Sequence, residues 1–439
     1  MKIFNEIRNT KYEIRLFNEI RNIGAKFVFL CVLCLCTGCL WAADLYLDVS
    51  KATYRKIAVA VPDFRGDNVS GANAAGIITS DLRFSGFFKP VESAFLKEVA
   101  PGSLDFSEWR SIGAELIVTG NITAGDEVVL ECRMYDAARG SQVLGKVYRG
   151  DRKLLRKMVH RFSDEVVRRV TGEKGISRTK IAFVSGGSGH KEIYVMDYDG
   201  YNPVRMTFDR SVATVPSWLP SGGRVAYTTY RGGNPDLYVR DIESGSTEKL
   251  CTFNGLNYGA SWSPSGRWFT VALTRDGNAE IYLLKSNGKG EKRLTRHPKV
   301  DCSPSWAPDG KHIVFTSGRA GGPHIYVMNT NGKILRRLTD AGYSDSPEWS
   351  SRGDTIVYSS QKASQFNIWT MNPDGSGKKQ LTANSGDNEN PSFSPDGLHI
   401  VFSSTRDGNK NIYVMGTDGS NQKKLTLMEG DNEYPCWSP

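Results

Sequence analysis

Six aromatic residues recur along the second half of the chain at almost constant spacing. Trp218, Trp262, Trp306, Trp349, Phe393 and Trp437 are separated by 44, 44, 43, 44 and 44 residues. Each sits in a similar phrase, from Pro216-Ser-Trp-Leu-Pro220 to Pro304-Ser-Trp-Ala-Pro-Asp-Gly310 and Pro391-Ser-Phe-Ser-Pro-Asp-Gly397. A fixed period near 44 is that of a β-propeller, in which each repeat is one four-stranded blade. The strands can be read inside each period. A β-branched run follows the aromatic anchor and its turn, at 181–185, 225–229, 269–273, 313–317, 356–360 and 400–404. The third strand carries an aromatic at its second place, as in Ile193-Tyr194, Ile325-Tyr326 and Ile368-Trp369. Asp199-Gly200, Asn331-Gly332 and Asp418-Gly419 then supply the positive φ of a tight hairpin. Leu-Thr pairs such as Leu294-Thr295 and Leu338-Thr339 end the fourth strand.

The count of strands predicts closure. The array opens on strands two to four at 181–207 and its last element is a lone first strand at 434–438. That last strand is expected to complete the first blade, closing six WD-like blades into a ring over 181–439.

With 439 residues the chain holds more than one core. Residues 44–172 lack the repeat. A buried strand at 57–64, helices at 72–84 and 106–112, strands near 116–121, 128–135 and 143–149, and a charged helix at 153–170 predict a small α/β domain. Residues 173–180 form the linker. Residues 1–43 read as an export signal, with basic residues from Lys2 to Lys26 ahead of an apolar run from Phe27 to Cys36. Thr37-Gly38-Cys39 matches the end of a lipoprotein signal, which acylates Cys39; cleavage after Ala42 or Ala43 is the preferred reading and gives a mature start at Asp44.

The net charge of +9 does not point to nucleic acid. Residues 1–43 hold six Lys/Arg and three Asp/Glu, which leaves +6 scattered over the remainder rather than massed on one element. Cys132, Cys251, Cys302 and Cys436 lie too far apart to make a disulfide framework, and free, mostly buried thiols are expected. The chain contains no Gly-x-Ser-x-Gly elbow, His-Glu-x-x-His, Walker loop or dinucleotide fingerprint, so no enzyme, cofactor or small-molecule substrate is predicted. Asp197-Tyr-Asp199-Gly200 is faintly like a calcium loop, but the other blades place a hairpin turn there. The repeated Trp residues and Met196, Met328, Met371 and Met415 are expected to pack between blades.

Residues just before each anchor differ from blade to blade: Asn257-Tyr258, Asp301, Asp345-Ser346, Asn388-Glu389 and Asn432-Glu433. Entering the innermost strands, they are expected to ring one mouth of the channel as a solvent-facing partner-binding rim. The same groups leave open a cation in the channel; whether metal sits there is not decided by the sequence.

The chain from about residue 44 onward resembles the TolB family of periplasmic propeller proteins. The resemblance rests on Arg55-Lys-Ile-Ala-Val-Ala-Val-Pro-Asp-Phe64, Asp81-Leu-Arg-Phe-Ser-Gly-Phe-Phe88, Gly172-Glu-Lys-Gly-Ile-Ser-Arg-Thr-Lys-Ile-Ala-Phe183, Asp197-Tyr-Asp-Gly-Tyr-Asn202 and Tyr434-Pro-Cys-Trp-Ser-Pro439. It implies a non-enzymatic, monomeric scaffold of the Tol-Pal envelope system. The propeller would dock the peptidoglycan-associated lipoprotein. The mature N-terminal segment, Asp44, Leu45, Tyr46, Leu47, Asp48, Val49 and Ser50, would engage the inner-membrane protein TolA. Two other readings remain at this point. Prolyl-oligopeptidase relatives carry similar propellers but need a hydrolase domain with its nucleophile elbow. A cell-wall carbohydrate binder wants rim aromatics, for which Tyr258 and Tyr434 qualify.

Overall fold

The computed structural model describes residues 55–66, 68–92, 96 and 104–439, all within one compact unit. Cys39, the leader and the segment Asp44–Ser50 lie outside the described residues.

The N-terminal part is a six-stranded sheet with helices packed on it. Strands β1 (Ile57–Ala60), β2 (Arg65–Gly66), β3 (Phe88–Pro90), β4 (Leu116–Ala124), β5 (Val128–Asp136) and β6 (Ser141–Gly150) alternate with α1 (Asn68–Phe84), α2 (Phe106–Ser111) and α3 (Leu155–Thr171). The order is β3-β1-β4-β5-β6, with β2 also on β4; β1 pairs parallel with β3 and β4, and β4, β5 and β6 form an antiparallel meander. Ile78 and Leu82 of α1 and Phe162 and Val166 of α3 bury against Val59, Val118, Leu130 and Met134 of the sheet. The strand expected at 57–64 is shorter, because the chain turns to bring Phe64 over the sheet. A Cβ at Gly120 would sit 2.2 Å from the Phe64 ring, which explains a glycine in the middle of β4. The helix expected at 72–84 starts a turn earlier, at Asn68.

Gly172, at φ 77°, caps α3, and the segment that follows is tied back to it. Asp164, buried in α3, accepts from Ser177 N at 2.8 Å and Arg178 Nε at 2.8 Å.

The propeller has six four-stranded antiparallel blades, counted here as blade one (213–251), two (257–293), three (301–337), four (343–380), five (388–424) and six (432–437 with 180–205). Blade six is the closure that the repeat predicts. Its inner strand, Asn432–Trp437, pairs with Lys180–Ser185 in the register Asn432↔Ser185 and Trp437↔Ile181. Ser438 N then donates to Lys180 O at 2.8 Å. The anchors and methionines pack between blades as expected: Trp218, Trp262, Trp306 and Trp437 and all four repeat methionines are buried. One cluster joins Val314, Ile325 and Val327 of blade three to Ile356, Tyr358 and Met371 of blade four.

The Leu-Thr pairs have a backbone cause. The fourth strand is only two residues long in blades two, four, five and six, so the third strand runs past its partner. The threonine hydroxyl takes over, accepting from Ile193 N, Ile281 N, Ile325 N, Ile368 N and Ile412 N at 2.8–2.9 Å. This satisfies a buried donor that would otherwise be orphaned.

The α/β domain docks on the turn end of blades five and six. Asp81 of α1 is buried between Tyr198 Oη at 2.5 Å and His160 Nδ1 at 2.8 Å. Burial and the Asp81 carboxylate push the Tyr198 phenol well above its usual range. Arg156 reaches Asp199 Oδ2 at 2.5 Å and lies over the Tyr201 ring at 4.1 Å. The Asp197–Gly200 turn is the hairpin expected from the repeat, and it also carries the domain contact.

Deleting residues 434–439 is expected to leave Lys180–Ser185 as an open edge and remove Trp437 from the core. The lost Trp packing alone costs about 3–5 kcal/mol, so the melting temperature should fall by about 10 °C. Thermal unfolding of the truncated chain that matches the intact protein would refute strand closure.

Candidate functional site

The six inner strands share a local distortion that shapes the channel. Each has a bulge three residues before its aromatic anchor, where Val215, Gly259, Ser303, Ser346, Asn390 and Tyr434 adopt φ of 48–66°. The ladder register shifts at the same point in every blade. A bulge adds a residue and re-aims the side chains on either side of it. The residue two before the bulge turns into the blade and is buried in all six, and the residue just before the bulge faces its neighbours around the mouth.

This division separates the residues that sequence had grouped together. Asn257, Asp301, Asn388 and Asn432 are fully buried, and Glu433 is 5% exposed, so the expectation that they face solvent fails for all five. They bond within the propeller, to their own blade, to a neighbouring blade or to the loop between them. Asn257 Nδ2 donates to Phe253 O, Gly255 O and Pro235 O at 2.7–3.0 Å, while its Oδ1 accepts from Phe253 N at 3.0 Å. Asn388 Oδ1 accepts from Arg406 Nη2 at 3.0 Å, and Asn432 Nδ2 donates to Gly430 O at 3.1 Å. Asp301 takes the same place with a carboxylate, bound by Arg319 Nη2 at 2.8 Å. Its Oδ1 is buried without a partner, and burial raises its pKa despite the arginine.

The second residues face the mouth. Glu389 of blade five and Glu433 of blade six share Lys410, at 3.0 and 3.4 Å, and Lys191 pairs with Glu433 from its other side. Asp345 Oδ1 accepts from Thr316 Oγ1 at 2.8 Å, Ser303 Oγ at 3.1 Å and the backbone of Ser346 at 2.6 Å. Tyr258 and Tyr434 lie within hydrogen-bonding reach of each other, and burial pushes the Tyr258 phenol up. Asp345, Ser346, Glu389 and Tyr258 are half-buried. The mouth is a belt of alternating charge with a tyrosine pair, not a bare ring of carboxylates.

Sequence reasoning missed Lys191, just before the third strand of blade six, and Lys410, the second residue of the third strand of blade five, and it missed Glu348. Glu348 falls where the other blades carry Ser217, Ser261, Ser305, Ser392 and Cys436, a departure visible in the Pro347-Glu-Trp phrase. Those positions link blades around the channel: Ser305 Oγ accepts from Trp349 N and Ser392 Oγ from Trp437 N, both at 3.2 Å. Glu348 Oε1 does the same for Phe393 N at 2.8 Å and also accepts from Ser392 Oγ at 3.3 Å. Burial pushes its carboxyl up to about 7.

Among the described residues no group of His, Cys, Asp or Glu is arranged to hold a metal ion, and no helix is long and apolar enough to cross a membrane. Cys132, Cys251, Cys302 and Cys436 are free thiols. Fold and mouth together define a two-domain protein in which an α/β domain is carried on a closed six-bladed propeller. Residues 167–439 match the model of the TolB beta propeller domain and residues 45–143 that of the TolB amino-terminal domain. The chain belongs to the TolB family. It is 40% identical over 211 residues to the Tol-Pal system protein TolB of Geobacter sulfurreducens, covering 46% of this chain and 48% of that one. The TolB of Desulfosudis oleivorans is 38% identical over 196 residues, with 42% and 45% covered. These alignments span about half the length of the curated relatives. The crystal structure of TolB from Acinetobacter baumannii superposes with a TM-score of 0.77 at 27% identity, covering 90% of this chain and all of that one.

Glu348 gives the fold a pH dependence of defined sign. A carboxyl whose folded pKa is raised stabilises the fold when protonated, and that contribution is lost as pH rises from the unfolded value through about 7. Stability should therefore fall between pH 5 and 8 by up to about 3 kcal/mol. Glu348→Gln keeps an acceptor for Phe393 N and should flatten the dependence. Denaturant unfolding at pH 5, 6, 7 and 8 reads it directly, and parallel slopes for the two proteins would exclude the assignment.

Proposed function

We propose that this protein is a periplasmic interaction scaffold of the Tol-Pal envelope system, with no catalytic role. Its propeller rim docks the peptidoglycan-associated lipoprotein, and its mature N-terminal segment, Asp44–Ser50, engages TolA. In this role it supports outer-membrane integrity and cell division. Family membership supports the envelope role, and the export signal supports the compartment.

The observation that carries the docking surface is the distribution of exposed apolar side chains. Phe208, Val212, Tyr230, Val300, Tyr343 and Leu427 all lie at the end of the blades where the inner strands begin, around the charged belt of Glu389, Lys410, Glu433 and Lys191. Leu427 is 91% and Phe208 65% exposed. Apolar side chains gathered around a polar mouth are the usual composition of a protein-binding patch.

Glu433 is buried between two lysines, so reversing its charge would test folding as much as binding. Leu427 and Glu389 are the better probes. Leu427→Glu with Glu389→Lys should weaken capture of the lipoprotein at least tenfold, which about 1.4 kcal/mol provides, without lowering the melting temperature. Calorimetric titration decides it, with substitutions at Asp309-Gly310 on the opposite mouth as the comparison set. Unchanged affinity in the rim variant, with loss in the turn variants, would move the partner to the other face. Deleting residues 44–50 should abolish capture of TolA while leaving lipoprotein binding intact; retained TolA binding in a pull-down would place that contact elsewhere.

A further inference from the structure

The positive charge of the chain is not shared evenly among the blades. Blades one, four and five each hold four Lys/Arg and four Asp/Glu, and blade six holds three and four. Residues 257–337, which are blades two and three with the loop between them, hold 13 Lys/Arg and five Asp/Glu, a net +8 in a chain of net +9. No single strand carries this excess; the fold gathers it on two neighbouring blades.

At the turn end the excess is unpaired. Arg267, Lys285, Lys289, Lys292, Lys311 and Lys333 stand in or beside the turns of the two blades. Among the described residues none of the six takes part in an ion pair, because the nearby carboxylates are taken by other partners: Glu291 by Arg275 at 3.6 Å and Asp309 by His312 Nδ1 at 2.6 Å. Cations gathered without counter-charges raise the local concentration of anions.

These cations surround a cleft of about 660 Å³ between blades two and three. Lys292 and Asn331 join across it, Nζ to Oδ1 at 3.3 Å. The Lys285 stem lies along Gly290 in its wall, where a Cβ would stand 3.4 Å from Lys285 Cε. Arg267, Lys289 and Lys311 are chain neighbours of Trp268, Gly290 and Gly310, which line it.

The lining itself is neither bare nor purely charged. Trp268 opens the second strand of blade two and is half-buried; the other blades place Lys180, Arg224, His312, Thr355 or His399 there. Ser265, Thr330 and Asn331 add two hydroxyls and an amide. An indole offers a flat apolar face, and hydroxyls and amides both donate and accept. A pyranose ring matches both, with C–H groups on its face and hydroxyls on its edge. An acidic peptide would use the lysines and leave the indole and hydroxyls idle. Nucleic acid has phosphates and rings as well, but the export signal read at residues 1–43 directs the chain away from it.

We infer that the cleft between blades two and three binds an acidic saccharide, one whose sugar rings carry carboxylate or phosphate groups. A ring packs on Trp268, its hydroxyls meet Ser265, Thr330 and Asn331, and its negative groups face Lys292 and Lys289. This site lies at the opposite end from the rim and does not depend on the docking proposed there.

The test is calorimetric titration of the whole protein with tetragalacturonate. The controls are tetraglutamate amide, which has the carboxylates without the rings, and the N-acetylglucosamine tetramer, which has rings without charge. Glucose 6-phosphate, run in parallel, reads whether phosphate serves as well as carboxylate, and the tighter of the two acidic sugars names the source. Tetragalacturonate should approach saturation by ~1 mM and be released in about 1 M salt, where charges are screened beyond about 3 Å. Trp268→Thr gives blade two the residue that blade four carries at this place, so the fold should hold, as its melting temperature will report. That variant, and separately Lys289→Gln with Lys292→Gln, should each weaken binding about tenfold or more and capture the lipoprotein as before. Equal affinity for tetraglutamate amide would make the sector a face for acidic protein instead. Equal affinity for the neutral tetramer would remove charge from the recognition, and unaltered affinity in Trp268→Thr would place the sugar outside the cleft. Each of these overturns the assignment, as does no binding of either acidic sugar at that concentration.

Discussion

The pairing of Asn432–Trp437 with Lys180–Ser185 holds the rest of the propeller in place. Each blade packs only on its two neighbours, so an open array would leave one blade without its inner strand and another with an uncovered face. Two strands separated by roughly the length of the whole propeller join the ring, which converts a chain of local contacts into a closed cycle. The links around the channel follow from it. Trp349 N, Phe393 N and Trp437 N each donate to a side chain of the preceding blade, and the last of these belongs to the closing strand itself.

Closure also sets where the α/β domain can sit. Trp437 at the end of the closing strand, His399 of blade five and Tyr198 of blade six gather around Phe84, and Tyr198 reaches Asp81 behind it. One end of the ring is thus partly covered by the α/β domain, while Phe208 and Leu427 at the rim end are exposed. The two ends differ in chemistry accordingly. The rim combines exposed apolar residues with paired charges, and the turn end carries the α/β domain on blades five and six.

The repeat itself was legible because its causes are local. Aromatic anchors, β-branched runs, Asp-Gly and Asn-Gly turns and terminal threonines each act within a few residues, and six copies make the pattern unmistakable. The α/β domain was legible as a class, but its helix and strand ends moved, because Phe64 and Gly120 pack together across 56 positions of sequence. Within the mouth, sequence placed the right strands and misjudged the exposure of half their side chains. Alternation along a strand predicts two faces, and the bulge at Val215 and its five counterparts breaks that alternation where it matters.

What the sequence determined by itself was the number of blades, their strand order, the closing strand and the family, all of which depend on periodicity and short motifs. Tertiary structure alone decided which polar groups are free to act. Asp301 is spent on Arg319 and Asn388 on Arg406, whereas Glu389 shares a lysine with a glutamate from the next blade. It also raised Glu348 toward neutrality, sank Asp81 between a tyrosine and a histidine, and left the Trp306 N–H without an acceptor. Burial and hydrogen-bond supply depend on neighbours brought in from distant blades, and no local pattern in the chain encodes them.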